Sequence, residues 1–208
     1  MRKAVFSNTN GTLVIDPMDC KYGNPEFIQE YINRYGPEEF EKYTDADPAM
    51  KEHKKLLKNQ MGIRDRLYSN VSKLLDALNG NGIELVIFAG ASAEKSREIY
   101  EDLGVRIADA YEAIGELENR SDPRTFSKLG ECIKEKYAPH AYITHRASHA
   151  LASAEAWGKG LLSGMNMKND GFSDLMEGDK VIGQIYRFNW DSLAFDWEIK
   201  KLIGFLQK

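Results

Sequence analysis

Cysteine is nearly absent: Cys20 and Cys132 are the only two in 208 residues. Two thiols far apart in the chain exclude a disulfide framework, and both are expected to be reduced. No apolar run approaches the roughly 20 residues that cross a bilayer, and the N-terminus has no signal-peptide pattern. A soluble, cytoplasmic protein with no membrane partner is expected. Charge of either sign is not in excess either. The 28 basic and 32 acidic residues leave a net −4 spread along the chain, which gives no surface for nucleic acid. The histidines His53, His140, His145 and His149 lack metal-ligand spacing with cysteines or acids. His145 and His149 stand four apart but have no evident third ligand, so surface or capping positions are expected for them. There is no internal repeat and no low-complexity tract.

What is present is a chain long enough for one large domain, or for a core with a small second domain. Ala4, Val5 and Phe6 read as a buried strand. Residues 15–79 are rich in helical pattern. Pro25 opens a helix carrying Phe27, Ile28, Tyr31, Ile32 and Tyr35, and residues 64–78 carry Leu67, Val71, Leu74, Leu75 and Leu78 on one stripe. From residue 80 onward strand and helix alternate. Strands are predicted over 83–88, 105–107, 141–144, 161–162 and 181–188. Helices are predicted from Ser92 to Leu103, after the Asp122 cap with Phe126, Leu129, Ile133 and Tyr137 on one face, over 148–157, and over the C-terminal stretch from Phe195 to Leu206. Residues 166–180 read as a polar loop. Strands separated by helices need right-handed crossovers, hence a mainly parallel sheet covered on both faces.

The first strand breaks into Asn8, Thr9, Asn10, Gly11, Thr12 and Leu13. Asparagine and glycine tolerate the positive φ of a sharp turn just past a strand's carboxyl end. This stretch resembles the opening motif of the haloacid dehalogenase-like hydrolase superfamily, in which an apolar strand delivers Asp-x-Asp-Gly-Thr-Leu. Here both acids are asparagine. The resemblance implies a Rossmann-like parallel sheet flanked by helices, formed by residues 1–14 and 80–208, with a small helical cap inserted at 15–79.

The resemblance also carries over site positions one by one. Asn8 stands at the place of the nucleophilic, magnesium-ligating aspartate, and Asn10 at that of the acid/base aspartate. A carboxamide nitrogen is not a nucleophile, its oxygen is a poor ligand for a hard cation, and it has no usable pKa near neutrality. The serine or threonine expected at the end of the second strand reads as Ala89, followed by Gly90, with Ser92 further on. The lysine of the third motif reads as Arg120, with Lys128 one helical turn later as the fallback. The acids of the fourth motif fall on Arg146 and on Ala150, or on His149 with a slip of one residue. Four carboxylates, a lysine and a magnesium ion around a phosphate sum to roughly −1, whereas Arg120 and Arg146 beside neutral amides sum to roughly +2.

The expectation is therefore a degenerate member with no cofactor. It would keep a metal-independent anion pocket at Asn8, Thr9, Asn10, Ala89, Gly90, Arg120 and Arg146 for a phosphate-containing small molecule, and it would act as a binding or regulatory protein, with a protein partner. One alternative is an active magnesium-dependent phosphohydrolase whose acids come from Asp16, Asp19 or Asp109. Another is a structural subunit of a complex, docking through the cap or through the region of Trp190 and Trp197.

Overall fold

Burial along the first strand already divides the molecule into two layers. In β1 (Arg2–Ser7), Val5 joins one buried cluster while Ala4 and Phe6 join the other, as the two-residue period of a strand requires. The computed structural model describes residues 1–9, 12–14, 33, 67–164 and 171–207. After β1 come α1 (Val71–Gly80), β2 (Ile83–Ala89), α2 (Ala93–Asp102), β3 (Asp109–Glu112), α3 (Pro123–Ile133), β4 (Tyr137–Thr144), α4 (Ala147–Trp157), β5 (Lys159–Gly164), β6 (Gly171–Glu177), β7 (Lys180–Asn189) and α5 (Phe195–Gln207).

The seven strands form one sheet in the order β3-β2-β1-β4-β5-β7-β6, parallel throughout except for β6, which runs antiparallel to β7 at the edge. One face buries Val5, Leu85 and Ile87 under α1, α2 and α5, through Leu74, Leu78, Tyr100, Leu202 and Phe205. The other buries Phe6, Val86, Phe88 and Tyr142 under α3 and α4, where Phe126 packs tilted on Tyr142 at 5.1 Å and edge-on to Trp157 at 5.1 Å. Covering on both faces is what an all-parallel core demands, and it explains the near-continuous apolar run of β2.

Several elements differ from the expectations, each for a physical reason. The third strand lies at Asp109–Glu112 and not at 105–107. It buries only Ala110, so it offers neither an apolar run nor an alternation. Residues 171–177, expected as loop, form β6, an edge strand with no buried residue and therefore no inward apolar face to read. Tyr137 begins β4 and is not on the preceding helix, whose end at Lys134 carries no glycine or proline stop. The helix predicted over 64–78 begins at Val71, and residues 64–66 lie outside the described residues. Leu67 instead forms an antiparallel bridge with Val14, and Tyr68 N–H donates to the Leu13 carbonyl at 3.3 Å.

That bridge bears on the cap. Val14 and Leu67 are bridged, so the two ends of the intervening segment are adjacent. The expected cap lies almost wholly outside the described residues, as does the helix opened by Pro25. Its last part does not: residues 71–79 are core helix, with Val71, Leu74 and Leu78 packed in the same cluster as Val5. Trp190, expected in an exposed docking region, is 1% exposed and stacks on Tyr68 at 5.8 Å, while Trp197 is exposed.

Candidate functional site

The strand order reverses between β1 and β4. From β1 the chain builds outward through β2 to β3, then returns to place β4 on the other side of β1. In an open parallel sheet the crevice for a ligand forms at the carboxyl ends of the strands on either side of this reversal. Asn8 stands there, its N–H donating to the Ile143 carbonyl of β4 at 3.1 Å. The turn after it is tied by the Thr9 carbonyl, which accepts from the N–H groups of Thr12, Leu13 and Val14 at 3.1–3.3 Å.

Arg120 reaches this point from the turn before α3. Ser121 N–H and Asp122 N–H both donate to Asn119, and Asp122 then caps α3 by accepting from Arg124 N–H at 2.9 Å. Held so, Arg120 Nη1 donates to Asn8 Oδ1 at 3.1 Å and to the Tyr142 hydroxyl at 3.2 Å, with the Phe88 carbonyl at 3.5 Å. The Tyr142 hydroxyl in turn donates to that carbonyl at 2.9 Å. The fallback cation is elsewhere: Lys128 pairs with Glu116 at 2.7 Å on the exposed side of α3.

The remaining predicted positions are arranged around this contact. Gly90 is exposed, and a Cβ built on it would stand 3.9 Å from Arg120 Nη2. Ala89 is buried at the end of β2, where its carbonyl accepts from Ala113 N–H at 2.7 Å. Thr9 is 4% exposed, and its hydroxyl lies beside that of Tyr100 without closing a hydrogen bond, so it turns from the crevice into the core. Arg146 is the exposed N-cap residue of α4, its N–H donating to Thr144 Oγ1 at 3.1 Å. Its charge is felt by Tyr142 and by His149. Asn10 lies outside the described residues.

The two histidines depart from the surface reading. His145 Nδ1 is hydrogen-bonded with Thr12 Oγ1 at 3.0 Å, and His149 is buried against Tyr142 with ring centroids 6.5 Å apart. Burial first, then the positive charges of Arg120 and Arg146, push the His149 imidazole down to about 3. It is neutral in the folded protein. In the unfolded chain it takes up a proton near 6.5. The unfolded state then binds more protons between those values, so His149 favours folding fully above pH 6.5 and loses that contribution as pH falls toward 3. Thermal melts of His149→Gln are expected to fall less steeply than wild type from pH 6.5 to 4; parallel curves would remove His149 from the acid limb.

Two groups at the strand ends escaped the sequence reading. Tyr142 falls inside the strand expected over 141–144 with no role assigned to it, although a tyrosine two residues before a strand's end can carry its hydroxyl to the ligand side. Glu112 ends β3 beside Ala89, and with no strand expected at 109–112 nothing placed it there. It sits two strands from β1, roughly 10 Å at ordinary strand spacing, beyond sharing a ligand shell with Asn8. Among the described residues no three of His, Cys, Asp and Glu gather as a metal set. Asp109 is at the amino end of β3, paired with Arg97 at 2.8 Å and Lys136 at 3.5 Å, so it is not at the crevice; Asp16 and Asp19 lie outside the described residues.

The mainly parallel sheet with helices on both faces defines a Rossmann-like α/β protein. No family model and no curated protein matches the chain. Solved structures do. A dehalogenase matches 96% of this chain with 96% of its own at 16% identity and a TM-score of 0.53. A haloacid dehalogenase-superfamily hydrolase from Ehrlichia chaffeensis matches over 100% of both chains at 14% identity and a TM-score of 0.50. The fold is that of the haloacid dehalogenase-like hydrolases. Among the described residues no helix is long and apolar enough to cross a membrane.

Proposed function

We propose that this protein is a haloacid dehalogenase-like pseudoenzyme that binds a phosphate-type anion at the strand ends and does not hydrolyse it, serving as a cytoplasmic binding or regulatory protein. One observation carries the reading: Arg120 Nη1 donates to Asn8 Oδ1 at the first strand's carboxyl end. The amide there is neutral and non-nucleophilic, so no phospho-enzyme can form on it. Its oxygen is already engaged by a full positive charge, which disfavours a second cation at the same atom.

The magnesium ion implied by the resemblance does not fit these residues. It demands hard oxygen ligands, mostly carboxylate and water, in near-octahedral geometry. Asn8, His145, Arg146 and Ala150 offer one amide oxygen and added positive charge. On this reading the guanidinium of Arg120 replaces the ion as the anion's partner, with Arg146 supplying longer-range attraction. The rival reading, a magnesium-dependent phosphohydrolase, loses Asp109 as a source of its acid.

Calorimetric titration with inorganic phosphate and a sugar phosphate, with and without magnesium, tests this. Binding without magnesium is expected, with Arg120→Ala weakening it by about tenfold to a hundredfold, the worth of a charge-assisted hydrogen-bond pair. An aryl phosphate with magnesium should be hydrolysed no faster than in buffer. Binding that requires magnesium, or turnover, defeats the proposal.

A further inference from the structure

Arg120 commits one end of its guanidinium and leaves the other without an acceptor. Nη1 serves Asn8 Oδ1, the Tyr142 hydroxyl and the Phe88 carbonyl. The opposite edge, Nε with Nη2, is the side-on fork whose two parallel N–H groups match two oxygens on one phosphorus or carbon. Nε is buried and has no hydrogen-bond partner. Nη2 makes no hydrogen bond among the described residues and faces the bare backbone of Gly90. A buried charged donor without an acceptor is costly, and here the acceptor is missing on the side that opens at Gly90.

The closed end explains why the fork is preset. Tyr142 is fully buried except at its hydrogen bonds, and burial pushes its hydroxyl above the ordinary tyrosine range, so it stays protonated. It can therefore accept from Nη1 while donating to Phe88 O at 2.9 Å, which fixes the oxygen that Arg120 meets. Asn8 ties Nη1 from the other side and, being neutral, leaves the guanidinium charge for a ligand. An aspartate in its place would consume that charge.

Building on the anion-pocket reading, we propose that Tyr142 and Asn8 hold Arg120 as a rigid fork. The ligand's phosphate-type group docks side-on against Nε and Nη2 over Gly90, and Tyr142 is a positioning residue that acts through Arg120. Gly90 keeps the approach open. It does not have a positive φ, so a larger residue fits its backbone and would simply fill the space in front of the fork.

Inorganic phosphate is titrated calorimetrically, without magnesium, into wild type, Arg120→Lys, Tyr142→Phe, Gly90→Val and the Arg120→Lys/Tyr142→Phe double variant, with thermal melts of each. Arg120→Lys keeps the charge and loses the fork, and should weaken phosphate binding about tenfold. Gly90→Val should do the same with melting unchanged. Tyr142→Phe should weaken it about fivefold to tenfold, and should add nothing in the Arg120→Lys background, because it acts only through the fork. A merely structural tyrosine would lose affinity equally in both backgrounds, which would overturn its positioning role. Wild-type affinity in both Arg120→Lys and Gly90→Val overturns the fork while leaving the anion pocket standing. No phosphate binding by wild type defeats the pocket and this inference together.

Discussion

Asn8→Asp is expected to weaken phosphate binding by about two orders of magnitude while leaving hydrolysis of an aryl phosphate with magnesium at background. The substitution restores the acid that the resembled opening motif carries at this position, so a gain of activity would be the naive outcome. Electrostatics argues otherwise. A carboxylate at position 8 meets Arg120 Nη1 at the present 3.1 Å contact, forms a charge-assisted pair and cancels the pocket's nearest positive charge. A phosphate docked on the same guanidinium would lie about 4–5 Å from the new charge. At an effective dielectric of about 20 that repulsion costs about 3–4 kcal/mol, on the order of a hundredfold or more in affinity. Chemistry is not expected to return, because residue 10 is still an amide with no titratable proton and Arg146, at the start of α4, adds a positive charge where a metal ion would need an acid. Stability should hold or rise, since the new ion pair is local and half-buried. Opposite movement of affinity and thermal midpoint is the signature to look for. Turnover in Asn8→Asp would mean that the acids of a working site come from elsewhere in the chain.

Gly160→Val is expected to destabilise the protein by about 3 kcal/mol or more, with Gly183→Val close behind. A Cβ at Gly160 would stand 2.2 Å from the Ala150 carbonyl oxygen, and one at Gly183 would stand 2.3 Å from that of Ala154. Both oxygens belong to the backbone of α4, which rests directly on β5 and β7 because its facing residues are alanine and the strands offer glycine. Neither backbone can yield without lifting the helix from the sheet, so the cost is that of overpacking a close-packed core. The same helix is capped by Arg146 and carries His149, so its seat on the sheet also sets where those residues stand. Gly204→Ala is the matched control: it lies inside α5 with nothing within 4 Å of its Cβ, and should stabilise by up to about 1 kcal/mol. Urea unfolding of the three variants reads the contrast directly. A Gly160 variant as stable as wild type would mean that α4 can move away freely.

The legible parts of this chain were those where pattern and physics coincide. Asp122 followed by Pro123 and a stripe of Phe126, Leu129 and Ile133 specifies both the start of α3 and the face it buries. The apolar run of β2 specifies a strand covered on both sides. The illegible parts are those whose residues answer to one neighbour only. β3 and β6 lie at the two edges of the sheet, where half the packing and half the hydrogen bonding are missing, and their sequences carry correspondingly little periodic signal.

The same division holds at the site. By itself the sequence determined that residues 8 and 10, after the first strand, are amides where the motif they resemble carries acids, because residue identity is a fact that folding cannot alter. It could not decide between Arg120 and Lys128, which lie one helical region apart and carry the same charge. The tertiary structure places them differently, turning Arg120 across the ends of β1 and β2 onto Asn8 while leaving Lys128 on Glu116. Nor could it reveal Tyr142 as the other half of that contact. Which groups meet across strands distant in sequence is set by strand order, and the order of a parallel sheet is fixed by how helices pack over it, not by any local run of residues.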